Sequence, residues 1–404
     1  MRLTIERLGH HGDGIAEGPV FVPRTLPGEV VEGEVSGGRM ESPSIITSSP
    51  VRRRAPCPHY ATCGGCALQH ATDDFVAGWK VQVVTSALVA QGLEATLRPV
   101  ATSPERSRRR ASLSGRRTKK SAIVGFHGRA SGTLVDLKDC ILLRPRLVAM
   151  LPHLRAVTEA GSSRKGELTL TVSESEGGVD LAVTGGKPMD AALFSTLAAL
   201  AEGADLSRIT WEGEPVATRR PPVQRFGQAL VQPPAGAFLQ ATGEGEAALL
   251  AAVRDAVGHA KRIADLFAGA GTFSLPLAEG AEVHAAESEK PMLQALDAGF
   301  RQTPGLHRVT TEARDLFRRP ILPDELNRFD AVVLDPPRAG AEAQVRELVQ
   351  SRVPVIAYVS CNPVTFARDA RILADHGWRL DWVQVVDQFR WSPHVELAAR
   401  FARS

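Results

Sequence analysis

The sequence predicts an α/β protein in three parts: a small β domain over residues 1–52, a central α+β region over 53–222, and an open parallel sheet with crossover helices over 223–404. Three observations carry this division. From about residue 226 apolar strand-like runs alternate with helical stretches, and one such run breaks into Ala268-Gly269-Ala270-Gly271-Thr272. The first fifty residues instead give short alternating strands between glycine-rich turns. Between these parts, three of the five cysteines fall within ten residues, Cys57 to Cys66. A chain of 404 residues is also too long for one ordinary core.

Composition excludes several classes of protein. Apolar residues make up 43% of the chain and no run of eighteen or more of them occurs, so no membrane span is expected. The opening MRLTIERLGHHGDGIAEGPV lacks an apolar signal core, so secretion is not expected and a cytoplasmic protein is. The net charge of +3 decides nothing, but its distribution does: Arg106, Arg108, Arg109, Arg110, Arg116, Arg117, Lys119 and Lys120 lie within fifteen residues. Such a cluster suits a phosphate backbone, although a solvated face would look the same. Aromatic residues, at 5%, are too sparse for recognition dominated by stacking platforms.

The N-terminal part reads as a barrel of the OB type, with strands at Leu3-Thr4-Ile5, Pro19 to Val22 and Val30 to Val35. Then comes Cys57-Pro58-His59-Tyr60-Ala61-Thr62-Cys63-Gly64-Gly65-Cys66, with five residues inside the first cysteine pair and two inside the second. Zinc ribbons bring a second close pair of ligands, whereas the remaining candidate here is the distant Cys140. Three close cysteines plus one distant one favour an iron–sulfur cubane over zinc, with zinc left open. The pattern predicts an amphipathic helix from Trp79 to Leu93, and strands at Ile123 to His127, Glu167 to Val172 and Val179 to Val183. A helix near 190–202 and a linker at Arg219-Arg220-Pro221-Pro222 complete this part, in which His127 and His153 read as surface or hydrogen-bonded groups.

In the C-terminal part a strand from Arg262 to Phe267 ends in the glycine turn, whose residues permit a sharp strand-to-helix change and close approach by a ligand. The next strand, Glu282 to Ala286, delivers Glu287, an acid placed to accept ribose hydroxyls. Ser274 stands where a dinucleotide fingerprint would have its third glycine, so S-adenosylmethionine suits the turn better than NAD. A strand from Phe329 leads to Asp335-Pro336-Pro337-Arg338, whose prolines stiffen the loop. The last, from Val353 to Val359, leads to Ser360-Cys361-Asn362-Pro363, and open α/β sheets carry their chemistry at such strand ends. Taken alone, Cys361 reads as a core thiol; its neighbouring motifs reverse that reading.

In this order, the Cys-x5-Cys-Gly-Gly-Cys run with Cys140, the stretch Asp265 to Thr272, Asp335-Pro336-Pro337-Arg338, Ser360-Cys361-Asn362-Pro363 and His394-Val395-Glu396 make the chain resemble the bacterial RNA uracil-5-methyltransferases. The likeness is to the iron–sulfur-containing 23S rRNA branch and covers nearly the whole chain. It implies an N-terminal TRAM barrel, a central iron–sulfur domain and a class I (Rossmann-like) S-adenosylmethionine-dependent methyltransferase domain. It further implies Cys361 as nucleophile and Glu396 as base, with Gln240, Phe267, Thr272, Glu287, Asp315 and Asp335 at the cofactor. Cys57, Cys63, Cys66 and Cys140 align with the 4Fe–4S ligands. Thr272 stands where asparagine is common, and Phe389-Arg390-Trp391-Ser392-Pro393 replaces a more usual Phe-Pro-x-Thr-x.

The implied chemistry explains the residue types. Carbon 5 of uracil is a poor nucleophile, and addition of a thiolate at carbon 6 turns it into an enolate carbon. A lowered thiol pKa would favour that addition. The carbon 5 proton must then go to a base before the thiolate leaves. Access to both faces of the ring requires the uridine to be flipped out, with the barrel and the basic stretch on the phosphates. The expected product is 5-methyluridine in 23S rRNA, made by a monomer. The alternatives are the same reaction on tRNA and an iron–sulfur RNA-binding or ribosome assembly factor with a vestigial methylase domain.

Overall fold

The computed structural model describes residues 1–403. The first five strands, β1 (Arg2–Leu8), β2 (Gly14–Ala16), β3 (Val20–Val22), β4 (Val30–Glu32) and β5 (Ser44–Thr47), form one sheet in the order β3-β2-β1-β4-β5. Leu3 and Ile5 alternate inward along β1 with exposed neighbours, the period-2 pattern of a half-buried strand. Among the described residues no ladder joins β3 to β5, so the expected closed barrel is present as a five-stranded sheet. Phe21 of β3 instead exchanges backbone hydrogen bonds with Gly38 and Met40, which occupies that edge.

The central region begins with α1 (Asp73–Val89) and β6 (Leu97–Thr102). The helix starts six residues before the expected Trp79 and ends four before Leu93. Asp73 and Asp74 complement the N-terminal dipole, while Gly92, at φ +66°, ends the run. A seven-stranded sheet follows, built from β7 (Arg110–Arg117), β8 (Ala122–His127), β9 (Leu134–Asp136), β10 (Glu167–Ser175), β11 (Gly178–Thr184), β12 (Leu206–Trp211) and β13 (Glu214–Thr218). Its order is β13-β12-β11-β10-β7-β8-β9, with α2 (Pro145–Ala149), α3 (Leu151–Gly161) and α4 (Ala191–Gly203) against it. Leu113, Leu154, Leu170 and Leu197 are among the residues of its core.

The C-terminal part opens with the hairpin β14 (Gln224–Phe226) and β15 (Ala229–Val231), then α5 (Gly243–Val257). Strand and helix then alternate: β16 (Arg262–Leu266), α6 (Ser274–Leu277), β17 (Glu282–Glu287), α7 (Lys290–Arg301), β18 (Val309–Ala313), α8 (Pro323–Leu326), β19 (Ala331–Leu334), α9 (Glu342–Leu348), β20 (Val355–Ser360), α10 (Pro363–Asp375), β21 (Trp378–Asp387) and β22 (Glu396–Arg403). The eight-stranded sheet runs β18-β17-β16-β19-β20-β22-β21-β6. The five strands from β18 to β20 are parallel, and β22 pairs antiparallel with both β20 and β21, so the sheet is mixed rather than purely parallel.

Both faces are covered, which is why its strands are continuous apolar runs. Val332 and Leu334 face a core shared with α9 and α10, while Ala331 and Val333 face one shared with α5 and α7. The segment 73–102, placed by its sequence position in the central region, belongs physically to this sheet. β6 is its edge strand, paired parallel to β21, and Val84 and Leu88 of α1 join its core. The order of the strands reverses between β16 and β19, and a ligand cleft is expected outside their carboxyl ends.

Candidate active site

A cleft of about 960 Å³ opens at that place, and Cys361, Glu396, Gln240, Phe267, Thr272, Glu287, Asp315 and Asp335 all line it. Side chains up to 156 positions apart in sequence, Gln240 and Glu396, are thus brought to one wall-to-wall site. The cysteine loop contributes Gly64, Gly65, Cys66 and Ala67, and the N-terminal sheet contributes His11.

The turn after β16 is built for close approach. Phe267 has φ +65°, rare for a side chain without local hydrogen-bonding ability, and Gly269 and Gly271 have φ +55° and +95°. Phe267 tilts against Phe317 at 5.5 Å between ring centroids, which makes an apolar wall in the cleft. Ser274, the residue in place of a third glycine, donates its hydroxyl to Asp265 Oδ2 at 2.5 Å. Asp265 Oδ1 has no partner, and burial pushes this carboxyl up to about 7. Glu287 accepts from Gly269 N–H at 3.1 Å and from Ser288 and Glu289 N–H at 2.6 and 2.9 Å, so the strand end fixes its direction. Asp315 accepts from Phe317 N–H at 3.0 Å.

The two proline motifs support each other. Asn362 caps α10 by accepting from Val364 N–H at 3.1 Å, with Pro363 at the first helical position. Its amide donates to Arg338 O at 2.9 Å, tying the Asp335 loop to the Cys361 loop. Arg338 reaches His394 Nδ1 at 3.1 Å. Glu396 begins β22 and is buried, with Gln388 donating to its Oε2.

Charges of both signs line the cleft. Burial, with Glu396, Asp265 and Glu287 nearby, holds the Asp335 carboxyl well above the usual range. Burial raises Glu396 to about 7, opposed by the Gln388 hydrogen bond. Burial, then Glu396 and Asp335, push the Cys361 thiol up to about 11, with Arg338 opposing. The lowered thiol pKa that the chemistry favours is therefore not a property of the ligand-free cleft. Carboxylates that raise one another in this way suit a cationic ligand such as a sulfonium. Arg108, Arg129, Arg314 and Arg338 also line the cleft.

The expected basic face divides. Arg109 is buried, pairs with Glu246 and donates to Gln240 O at 3.1 Å, and Arg110 donates to Ala237 O and Gly236 O at 3.0 Å. These two arginines join the central region to the C-terminal part and are unavailable to phosphate. Arg117, Lys119 and Lys120 remain exposed.

Cys57, Cys63, Cys66 and Cys140 line one small cavity of about 20 Å³. Among the described residues no three His, Cys, Asp or Glu side chains form a group that could hold a metal ion. The all-thiol donor set is of the kind that holds zinc or an iron–sulfur cluster. Burial raises the Cys66 thiol to about 12 and raises those of Cys63 and Cys140.

Sequence reasoning missed Phe317 and Gln388. Phe317 carries the faint signal of following Asp315 after a strand. Gln388, in a stretch of mixed polarity, carries none.

Residues 227–403 match the family model for tRNA (uracil-5-)-methyltransferase. An uncharacterized RNA methyltransferase of Caulobacter vibrioides is 45% identical over 415 residues, covering 99% of both chains. The 23S rRNA (uracil(1939)-C(5))-methyltransferase RlmD of Halomonas elongata is 34% identical, covering 98% of this chain and 88% of its own. The crystal structure of Pyrococcus abyssi tRNA (uracil-54, C5)-methyltransferase in complex with S-adenosyl-L-homocysteine superposes with a TM-score of 0.80 at 24% identity, covering 100% of this chain and 99% of that one. That likeness extends the shared fold to all parts of the molecule.

Proposed function

Since the chain belongs to the RNA (uracil-5-)-methyltransferases, enzymes dependent on S-adenosylmethionine, we propose that it methylates carbon 5 of a specific uridine in 23S rRNA through a covalent adduct at Cys361. The observation that carries this reading is the convergence of Cys361 and Glu396 with the six expected cofactor-contacting residues in one cleft. The relative named for 23S rRNA aligns over 98% of the chain, the cysteine loop and N-terminal sheet included.

S-adenosylmethionine, bound among Gln240, Phe267, Thr272, Glu287, Asp315 and Asp335, supplies an electrophilic methyl group. The Cys361 thiolate adds to carbon 6 of the flipped uracil, the displaced π pair makes carbon 5 an enolate nucleophile, and carbon 5 takes the methyl group as the sulfonium C–S bond breaks and S-adenosylhomocysteine leaves. Glu396 then takes the carbon 5 proton. The electrons of that C–H bond form the carbon 5–carbon 6 double bond and release the Cys361 thiolate. The cleft holds thiol, ring and carboxylate in one arrangement, and such positioning supplies much of the rate enhancement. Cys57, Cys63, Cys66 and Cys140 would hold a 4Fe–4S cluster, which would fix the cysteine loop where it lines the cleft. The N-terminal sheet serves as a TRAM-type grip on RNA, with the reaction in the cytoplasm.

The family model's own description favours tRNA as the second reading. The two are separated by measuring 5-methyluridine in purified 23S rRNA and tRNA from cells with and without the gene. Loss confined to 23S rRNA is expected, and loss confined to tRNA would contradict the assignment.

A further inference from the structure

Gln388 follows Asp387 at the end of β21, is buried, and opens the loop that leads to Glu396. Its amide oxygen accepts from Ala241 N–H at 2.7 Å. A backbone N–H can only donate, so this bond fixes the orientation of the side-chain amide. The Nε2 group is thereby turned to two acceptors, Gln240 Oε1 at 2.5 Å and Glu396 Oε2. Glu396 has no other side-chain hydrogen bond among the described residues, and its second oxygen is left for the cleft that it lines. Gln240 is itself held from behind, by Arg109 on its carbonyl.

We propose that Gln388 is the positioning residue for proton removal: it holds one oxygen of Glu396 and ties that carboxylate to Gln240, so the base and the cofactor side of the cleft are set as one unit. The inference rests on the covalent mechanism given above. In that step the carbon 5–hydrogen bond breaks, an O–H bond forms on the free oxygen of Glu396, and the electron pair expels the Cys361 thiolate. A donor on the other oxygen keeps Glu396 ionised beforehand and prevents the carboxyl from rotating away. It does so against unfavourable surroundings. Asp335 lies near it on the β19 side and Cys361 on the β20 side, with Asp265 and Glu287 beyond. The cations lining the cleft are Arg108, Arg129, Arg314 and Arg338, the last bonded to His394, with His11 also at its wall.

Two variants test this. Gln388→Met keeps length and volume and removes the amide. Gln388→Glu keeps an acceptor for Ala241 N–H and sets a second carboxyl against Glu396. RNA containing 5-fluorouridine at the target forms the methylated adduct without proton removal, so both variants are expected to retain adduct formation with S-adenosylmethionine far better than turnover. On ordinary uridine RNA both are expected to lose roughly tenfold or more in kcat, with little change in KM for RNA. The acid limb of the pH–rate profile should move to higher pH, further for Gln388→Glu. Wild-type kcat and an unmoved acid limb in either variant would overturn the inference. So would a loss of adduct formation in step with turnover, which would mean that Gln388 shapes the cleft generally. Failure of the wild-type protein itself to form the adduct would instead sink the covalent mechanism.

Discussion

In the proposed mechanism Glu396 would have to be buried to act on a flipped base and ionised to accept its proton, and these demands oppose each other. Burial raises its carboxyl to about 7, which places a general base near working pH. An acid with a raised pKa is protonated below that value, so turnover should fall as pH drops through about 7. A profile flat from pH 6 to 8 would contradict this. Glu396→Gln should still form the 5-fluorouridine adduct but lose about 10²–10⁴ in turnover on uridine. Cys361 poses the converse problem. Burial and the neighbouring carboxylates hold its thiol up at about 11, so adduct formation with 5-fluorouridine RNA, which needs no proton removal, should speed up steadily with rising pH and show no limb from Glu396. Both residues were reached from the sequence through the resemblance that Ser360-Cys361-Asn362-Pro363 and His394-Val395-Glu396 help to carry, since alone Cys361 reads as a core thiol and Glu396 as a surface acid. Gln388 was not, because its meaning lies in hydrogen bonds with Gln240 and Ala241, far away in the chain.

The loop from Asp387 to Glu396 is held by α1 and by the cysteine loop. Lys80 of α1 donates to Asp387 at 2.5 Å and to Phe389 O at 3.1 Å. Trp391, at φ +58°, is fully buried in the core of the cysteine-bearing region, and its carbonyl accepts from both Ala67 and Leu68 N–H. Its indole donates to Asp73 at 3.1 Å. The cysteine loop therefore bonds directly to the segment that carries the base. Replacing Cys63 and Cys66 by serine should lower Tm and raise amide exchange across residues 387–396. Unchanged exchange there would show that the loop is ordered without the cysteines. Trp391→Ala should cost about 3–5 kcal/mol of stability. Strand and helix types here were readable from hydrophobic period, but the docking of β6 beside β21 was not. Sheet membership is decided by pairing such as Val383 with Leu97, which no local pattern encodes.

At the scale of the whole molecule, three regions close on one cleft, and arginines of a single basic stretch are divided between two tasks. Arg109 and Glu246 form a largely buried pair between regions, so Arg109→Ala should destabilise by about 3 kcal/mol and loosen Gln240. Arg117, Lys119 and Lys120 stay exposed and are available to RNA. Replacing all three by alanine should weaken RNA binding and flatten the dependence of log K on log salt by about 0.7 for each phosphate no longer neutralised. An unchanged slope would put the RNA on another face. The sequence showed the density of charge but not this division, since burial of Arg109 and Arg110 arises only when the regions meet. Among the described residues no helix is long and apolar enough to cross a membrane.

The most direct test of the covalent mechanism is the mass of the protein after incubation with S-adenosylmethionine and a 23S rRNA fragment containing 5-fluorouridine. The wild-type chain is predicted to give a covalent protein–RNA species that also carries the transferred methyl group, and Cys361→Ala to give none. An adduct that survives Cys361→Ala, or a wild-type chain that methylates ordinary 23S rRNA yet never forms the trapped species, would contradict it.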